Sequence, residues 1–153
     1  MKKYILILIS TLYPLVTNFA CQSPFVRNLT CQIPQNARPF HANLYNAEYE
    51  VSLHINFYEQ DIIIPCQELF GEMAGYLVKD GTTYCWLIVS AKADDRRARL
   101  QISNDYGSED LEAELTVEGD TLYTLKQSNG STLKVPNKGK WQKLPRQMQF
   151  VKR

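Results

Sequence analysis

Hydrophobic and polar residues alternate most regularly between positions 111 and 118. Leu, Ala, Leu and Val occupy the odd positions, and Glu, Glu, Thr and Glu occupy the even ones. This period of two is typical of a β-strand with one buried face. Turn-forming sequences at 118–120 and 128–130 follow it, so we predict a three-stranded antiparallel ribbon over 111–135 with three-residue loops, the second containing a left-handed Gly130. In this register the rows of facing apolar residues are Leu115, Tyr123 and Val135, and Ala113, Leu125 and Leu133.

Shorter alternating or apolar segments flank the ribbon on both sides. The first predicted strand is 49–57, the last is 147–151, and Asp80-Gly81 marks a hairpin between them. The total is eight or nine short strands with close spacing, which predicts an all-β domain. Because sequential hairpins join the strands, we favour a single antiparallel meander barrel, similar to lipocalins in size, with a β-sandwich as the alternative. The last strand is expected to pair near the first and close the barrel.

The first 20 residues have the order of a secretory signal. Lys2 and Lys3 precede an uncharged apolar run over 4–15, which is too short to span a bilayer, and Ala20 ends the segment. We therefore divide the chain into a signal peptide at 1–20, an irregular tether or strap at 21–47, and a β-barrel domain at 48–153. The expected location is exported: the periplasm, the outer surface or the extracellular space.

Cys21 directly follows this segment and resembles the acylated cysteine of bacterial lipoproteins. Ala20 fits the small residue that precedes such a cysteine, whereas Asn18 and Phe19 depart from the usual pattern. Cleavage after Ala20 without lipidation is the alternative, and the sequence leaves both open. Peripheral membrane attachment is expected only if Cys21 carries a lipid.

The chain contains four cysteines, and exported proteins tend to pair their thiols. Cys66 and Cys85 lie near adjacent predicted strands, so we predict a disulfide between them, with Cys21–Cys31 as the second pair. Lipidation of Cys21 would leave one cysteine over. Neither Cys31 nor Cys66 has another Cys or a His at the spacing of a zinc site, so no metal site is expected.

Side chains suited to catalysis are few. His41 and His54 are the two histidines, and His54 is on the polar face of a predicted strand. The sequence has no nucleophile elbow, no zinc-protease helix motif and no phosphate-binding glycine loop. We therefore expect a protein that is not an enzyme and has no cofactor, and we assign no catalytic, cofactor-binding or metal residues.

Charge is unevenly distributed in the C-terminal third of the chain. An acidic block over 105–120 is followed by a basic block over 126–153, although the net charge is only +1. The usual behaviour of charge runs favours solvated strand faces, on which lysines pair with Glu112 and Glu114. The alternative is a patch for an anionic partner, either an envelope component or another protein; nucleic acid does not fit an exported chain. The candidate patch comprises Lys134, Lys138, Lys140, Trp141, Lys143 and Arg146.

Aromatic residues indicate a second kind of site, because a barrel of about eight strands can hold one small ligand. The candidates to line such a cavity are Tyr76, Tyr84, Trp86, Tyr106, Tyr123 and Trp141, although aromatic residues also form ordinary β-protein cores. The function predicted from the sequence is a non-catalytic binding module of the cell envelope for a macromolecule or a small molecule. A structural or assembly component of an envelope complex is the alternative.

Overall fold

A closed antiparallel β-barrel is the main feature of the structure, a computed structural model that describes residues 38–153. Its strands in chain order are β1 (His41–Asn46), β2 (Val51–Asn56), β3 (Ile62–Ile63), β4 (Glu72–Met73), β5 (Gly75–Lys79), β6 (Cys85–Ala93), β7 (Arg97–Asn104), β8 (Asp110–Glu118), β9 (Leu122–Gly130), β10 (Lys134–Asn137), β11 (Lys140–Lys143) and β12 (Gln147–Lys152). A single 3-10 turn occupies Glu68–Phe70 in this part of the chain.

The barrel is an up-and-down meander of eight strands. Its order is β1-β2-β5-β6-β7-β8-β9-β12, and β12 pairs again with β1. Two small hairpins interrupt the meander: β3–β4 lies between β2 and β5, and β10–β11 lies between β9 and β12. Because closure pairs every strand on both sides, no edge of the main sheet is left open. The all-β meander barrel predicted from the sequence is confirmed.

The barrel begins earlier than the sequence predicts. Strand β1 lies inside the segment 21–47, which we expected to be irregular, and its register sets Leu44 opposite Leu53 of β2. Only Ala42 and Leu44 of this strand are apolar and inward-facing, so its alternation is too short to stand out among polar neighbours. The predicted signal peptide at 1–20 and the rest of the strap up to residue 37 lie outside the described residues.

The predicted ribbon over 111–135 is correct for its first two strands and wrong for its third. A three-residue loop joins β8 to β9, one position later than predicted, so Leu115 faces Leu125. Strand β10 does not return along β9; β12 takes that place, with Met148 opposite Leu125. Gly130 has the left-handed conformation expected of it (φ 87°), beside a register shift in the β8–β9 pairing.

Close backbone packing fixes Gly130 at this point. A Cβ atom on this residue would lie 2.4 Å from the carbonyl oxygen of Asp110, so only glycine fits. The segment that follows leaves the wall of the barrel because Leu133, Val135 and Leu144 are buried across its end. Their burial competes with strand pairing to β9, and the apolar pattern alone cannot show which of the two arrangements forms.

Side chains fill the interior of the barrel. Ala98, Leu100 and Ile102 on β7 are buried, and they belong to one continuous core cluster with residues from the other barrel strands. The six aromatic candidates therefore do not line a common interior cavity. Trp86 and Tyr123 are fully buried core residues, whereas Tyr106 and Trp141 are exposed.

The first half of strand β6, residues 85–88, is buried on both faces, whereas Val89 and the residues at its end are exposed. Its inner face joins the core, and Cys85 and Leu87 on its outer face form a small second cluster with Ile64. Met73 of β4 packs against this cluster. The β3–β4 segment therefore covers the outer wall at β6, which explains why neither face of the strand is polar.

The predicted Cys66–Cys85 disulfide is wrong for this structure. Cys66 is exposed and Cys85 is buried, and both are free thiols. The Cys85 thiol donates a hydrogen bond to Oε1 of Gln67, at a sulfur–oxygen distance of 3.4 Å. Gln67 thus occupies the position beside Cys85, and Cys66 points away with φ at 64°. Cys21 and Cys31 lie outside the described residues.

Between Arg38 and Arg153, the structure contains no helix with both the length and the apolar character required to cross a membrane.

Candidate binding site at one end of the barrel

Four connections lie at one end of the barrel, which we call the hairpin end. Barrel strands alternate in direction, so the β1–β2 turn, the β5–β6 turn, the β7–β8 loop and the long β9–β12 connection all lie at the same end. The β10–β11 hairpin belongs to the last of these connections. Residues that are far apart in sequence, between 80 and 146, are therefore brought together there.

Buried contacts fix the β10–β11 hairpin to the barrel. The indole Nε1 of the core residue Trp86 donates a hydrogen bond to the carbonyl oxygen of Lys134, at 2.8 Å. Leu133 and Leu144, just outside the hairpin strands, are buried and joined by a backbone hydrogen bond of 2.8 Å. The hairpin is consequently a fixed platform and not a free loop.

The outer face of the hairpin is basic and aromatic. Lys134 faces Lys143 and Pro136 faces Trp141, and paired residues share a face. The Trp141 ring is 54% exposed, so half of a large aromatic surface is open to solvent. The structure thus places the six predicted patch residues on this hairpin and the loop after it.

Most cations of the patch have no acidic partner. Four of them are exposed and form no salt bridge with any residue of 38–153: Lys138, Lys140, Lys143 and Arg146. Residues 1–37 contain no Asp or Glu. The alternative, in which cross-strand acids neutralise the lysines, is represented by Lys126, which lies opposite Glu114 but forms no salt bridge with it.

Lys134 differs from the other patch residues because it is neutralised. Its Nζ atom lies 2.8 Å from Oε1 of Glu109 and 5.3 Å from the centre of the Trp141 ring. The predicted patch therefore consists of one paired lysine beside the tryptophan and four cations without a salt bridge in the described chain, on the same hairpin and the loop after it. The pairing of Lys134 with Glu109 also fixes the β7–β8 loop against the hairpin.

An aromatic cluster lies beneath the exposed tryptophan, centred on Tyr84. The ring of Tyr84 is 4.7 Å from that of Trp141, 6.1 Å from that of Tyr106 and 6.3 Å from that of Trp86, measured between ring centres. The contacts with Trp141 and Trp86 are edge-on, a favourable geometry for aromatic rings. The cluster connects the core, through Trp86, to the solvent-exposed rings of Tyr106 and Trp141.

Buried polar atoms without partners are concentrated at this end. Within residues 38–153, the Tyr84 hydroxyl, Asp105 Oδ1 and Glu109 Oε2 are buried and have no hydrogen-bond partner; Thr124 Oγ1, on β9, is a fourth such atom. Burial, then the charge of Asp105, raises the pKa of Tyr84 to about 12; the nearby Asn104 side chain partly opposes this shift, and Glu109 and Tyr106 add smaller increases. Burial also raises the pKa of Asp105. Unpaired buried polar groups are costly and require an explanation.

The two histidines lie elsewhere, in a groove on the outer wall of β1, β2 and β5 that we call the wall groove. A hydrogen bond of 2.7 Å joins His54 Nδ1 to Asn43 Oδ1, and the His54 ring stacks on Tyr76 with centres 4.6 Å apart. Burial lowers the pKa of His54, and the charge of Asp80 partly opposes this shift. In the described chain no carboxylate accepts a hydrogen bond from His41 or His54.

Several polar groups of the wall groove are satisfied by one another. Asn56 donates a hydrogen bond of 2.7 Å to Asp61, and Arg38 forms a salt bridge with Glu59. No set of three or more His, Cys, Asp or Glu side chains is placed to hold a metal ion in the part of the chain that the structure describes. The wall groove therefore has less unmet binding capacity than the hairpin end.

The sequence analysis grouped the lysines with Trp141 and named Tyr84, Trp86, Tyr106 and Trp141 among the aromatic candidates, and these four rings do cluster, but it did not connect them with Asp105 and Glu109. The lysines and Trp141 were found because they form a local run, whereas Tyr84, Asp105 and Glu109 come from two different connections. The sequence signal that could have pointed to Asp105 and Glu109 is that both acids lie in a loop that also contains Gly107. That signal is common in β-proteins, and it does not indicate which strand end the loop will meet.

Comparison of the chain with protein-family models, with curated proteins and with solved structures finds no match. The fold class therefore rests on the strand pairing itself. Because a fold does not determine a function, the function is argued from the geometry of the hairpin end.

Proposed function

We propose that this protein is an exported, non-catalytic binding module of the cell envelope that recognises an anionic partner through its hairpin end. The observation that carries the proposal is the set of four exposed cations that form no salt bridge among residues 38–153, on the hairpin that also exposes Trp141 and on the loop after it. Exposed tryptophan and unpaired cations are the groups that protein surfaces use for anionic partners with some apolar surface.

Like charges on the hairpin support the proposal. Lys134 and Lys143 are directly opposite each other, and Glu109 neutralises only Lys134. Directly opposed like charges destabilise a strand pair by roughly 0.2–1 kcal/mol. Glu109 already offsets part of this repulsion through Lys134, and an anion bound beside Lys143 would offset the remainder.

The fixed position of the hairpin also supports recognition. The platform is held by the Trp86–Lys134 hydrogen bond and by buried Leu133 and Leu144, so binding requires little ordering of the backbone. Long-range attraction from the exposed lysines would speed association and would weaken as salt is added.

The export part of the proposal rests on residues 1–20 and is tested by intact mass. Mass of the mature protein from its native host, measured before and after thiol reduction and alkylation, is the readout. A diacyl or triacyl increment on Cys21 supports a lipid-anchored module, and cleavage after Ala20 without it supports a secreted one. A chain that retains residues 1–20 would contradict export.

Binding is tested with long-chain polyphosphate, a soluble polyanion, at low and high salt. Trp141 is half-exposed and Trp86 is fully buried, so intrinsic fluorescence reports mainly on the hairpin. The test variant replaces Lys138, Lys140, Lys143 and Arg146 with Gln. The matched control removes the same charge elsewhere by replacing Lys92, Arg97, Arg99 and Lys126 with Gln.

We expect salt-sensitive binding by the natural chain and by the control, and a loss of about tenfold or more in the hairpin variant. Equal losses in both variants would mean that net charge alone drives binding and would contradict a specific surface. Absence of binding by the natural chain at low salt would also contradict the proposal.

A further inference from the structure

We infer that the hairpin end also binds an organic ammonium group, in a site formed by Tyr84, Asp105 and Glu109 beneath the rings of Tyr106 and Trp141. The inference rests in part on the proposed function, because the hairpin cations would bind the phosphate of the same partner. It names that partner as a compound that carries both an amine and a phosphate. Four observations lead to it.

The first observation is the charge balance of the site. Asp105 and Glu109 are two acids, and the nearby cation that pairs with either of them is Lys134, on Glu109 Oε1. The second oxygen of Glu109 and one oxygen of Asp105 are buried without a partner among the described residues. The site therefore has capacity for one further positive charge.

The second observation is the Tyr84 side chain, which is more than nine-tenths buried and whose hydroxyl has no partner within residues 38–153. Its hydroxyl lies close enough to both acids that their charges raise its pKa. A phenol hydroxyl both donates and accepts, so it can accept a hydrogen bond from an ammonium N–H alongside the carboxylate oxygens.

The third observation is that the site already holds one ammonium group. Lys134 Nζ lies between Glu109 and the face of Trp141, and a carboxylate paired with an aromatic face is the usual setting for an organic cation. Tyr106, which is 78% exposed, offers a second open ring beside the same cluster. A metal ion fits less well, because no three metal-binding side chains converge in the described chain.

The fourth observation is the position of Lys143. It shares the outer face of the hairpin with Trp141, two residues away, and it has no acidic partner among residues 38–153. Residues two apart on a strand lie roughly 6–7 Å apart. A ligand with its amine at the aromatic site and its phosphate at Lys143 would satisfy both surfaces, as in phosphoethanolamine.

Titration calorimetry with three probes tests the inference on the full chain: phosphoethanolamine, ethanolamine and inorganic phosphate. We expect phosphoethanolamine to bind most tightly, with ethanolamine weaker by about tenfold and phosphate weaker still. Vesicles that contain phosphatidylethanolamine are a further probe. Tighter binding to the vesicles than to free phosphoethanolamine indicates a lipid-borne headgroup, and equal binding indicates a soluble or polymer-borne one. Both of these outcomes support the ammonium site.

The Lys134→Gln variant separates an ammonium site from a simple anion site. Removing the internal ammonium frees Glu109 and Trp141, so we expect ethanolamine to bind severalfold more tightly, while an anion site would only lose affinity. Asp105→Asn should weaken ethanolamine binding about tenfold, and Asp120→Asn, in the exposed β8–β9 turn, is its matched control. Tyr106→Ala, at an exposed ring, should weaken it severalfold without affecting folding.

Two results would overturn the inference. The first is phosphate binding as tightly as phosphoethanolamine, and the second is ethanolamine binding that Lys134→Gln and Asp105→Asn leave unchanged. Polyphosphate binding would remain in either case, so the proposed function would stand. Conversely, ethanolamine binding without polyphosphate binding would support the ammonium site and contradict the proposed anionic partner.

Discussion

The two ends of the barrel each contain a buried tyrosine, but only one of these residues has a partner for its hydroxyl. At the end opposite the hairpin, Tyr123 is fully buried and donates a hydrogen bond of 2.6 Å to the carbonyl oxygen of Pro39. The rings of Phe40 and Phe57 stack beside it with centres 5.5 Å apart. At the hairpin end, Tyr84 is buried without such a partner in the described chain, beside two unpaired carboxylate oxygens.

This difference separates a stabilising end from an end suited to recognition. The Tyr123 hydrogen bond and the stacked rings close one end, where Thr124 Oγ1 is the buried polar atom without a partner in the described chain, against three such atoms at the hairpin end. Unpaired buried oxygens, opposed lysines and a half-exposed tryptophan reduce stability at the other end and provide groups for a ligand. Regions that break the rules of packing at a cost in stability are where function is usually found.

The largest expected contrast is between large aromatic side chains at the two ends. Phe40→Ala should destabilise the fold by about 3–5 kcal/mol, because Phe40 is fully buried in a stacked pair. Trp141→Ala should cost about 1 kcal/mol or less, because half of its ring is already in water. Urea denaturation measures both, and similar losses would contradict the division.

The two tyrosines give a matched pair of substitutions. Tyr123→Phe should cost about 1 kcal/mol, since it leaves the Pro39 carbonyl oxygen without its donor. Tyr84→Phe should cost nothing or stabilise the fold slightly, because its hydroxyl has no partner to lose in the described chain. A loss at Tyr84 as large as that at Tyr123 would show that its hydroxyl is satisfied in solution.

Alkaline pH should weaken both ends of the barrel, because burial raises the pKa of Tyr123 as well as that of Tyr84. The pKa of Tyr84 is about 12 in the fold, against roughly 10 in an unfolded chain. The stability that comes from keeping this hydroxyl protonated in the fold is therefore fully present below pH 10 and is lost as the pH rises towards 12. Tyr84→Phe should therefore lessen the fall in stability over this range, by on the order of 1 kcal/mol. Unfolding curves at several pH values test this, and parallel curves for the natural chain and the variant would contradict it.

The smallest expected effect concerns the opposed lysines. Lys143→Gln should stabilise the fold by about 0.2–0.5 kcal/mol at low salt, because it removes the repulsion with Lys134. The gain should vanish at high salt. Lys138→Gln, at a position without an opposed lysine, is the control, and an equal gain there would show that the effect is not local.

Much of the barrel could be predicted from the sequence because its strands follow clean periods. The alternation on β7 and β8, the Asp80-Gly81 hairpin and the last strand all fix local structure through side-chain spacing alone. Strand β1 was missed because it has two inward apolar residues, and the third ribbon strand was wrong because burial of Leu133 and Val135 outweighed pairing. Both of these errors concern pairings that are decided by contacts with the rest of the barrel and not by the local sequence.

The candidate site could be predicted only where its residues are neighbours in sequence. The basic residues and Trp141 form a run of this kind, so their clustering follows from composition. The contact of Lys134 with Glu109 and the position of Tyr84 depend on which connections share one end of the barrel. The disulfide was wrong for a related reason, since strand adjacency does not determine that Gln67 would lie against Cys85.

The most direct test of the hairpin end as the recognition surface is an NMR titration of the labelled full chain with short-chain polyphosphate. Backbone amide signals report binding residue by residue. We predict that chemical-shift changes are concentrated in residues 131–146 and 105–109, and that signals from the wall groove around His54 and the end around Tyr123 stay unchanged. Changes centred on the wall groove, or no changes at all at low salt, would contradict it.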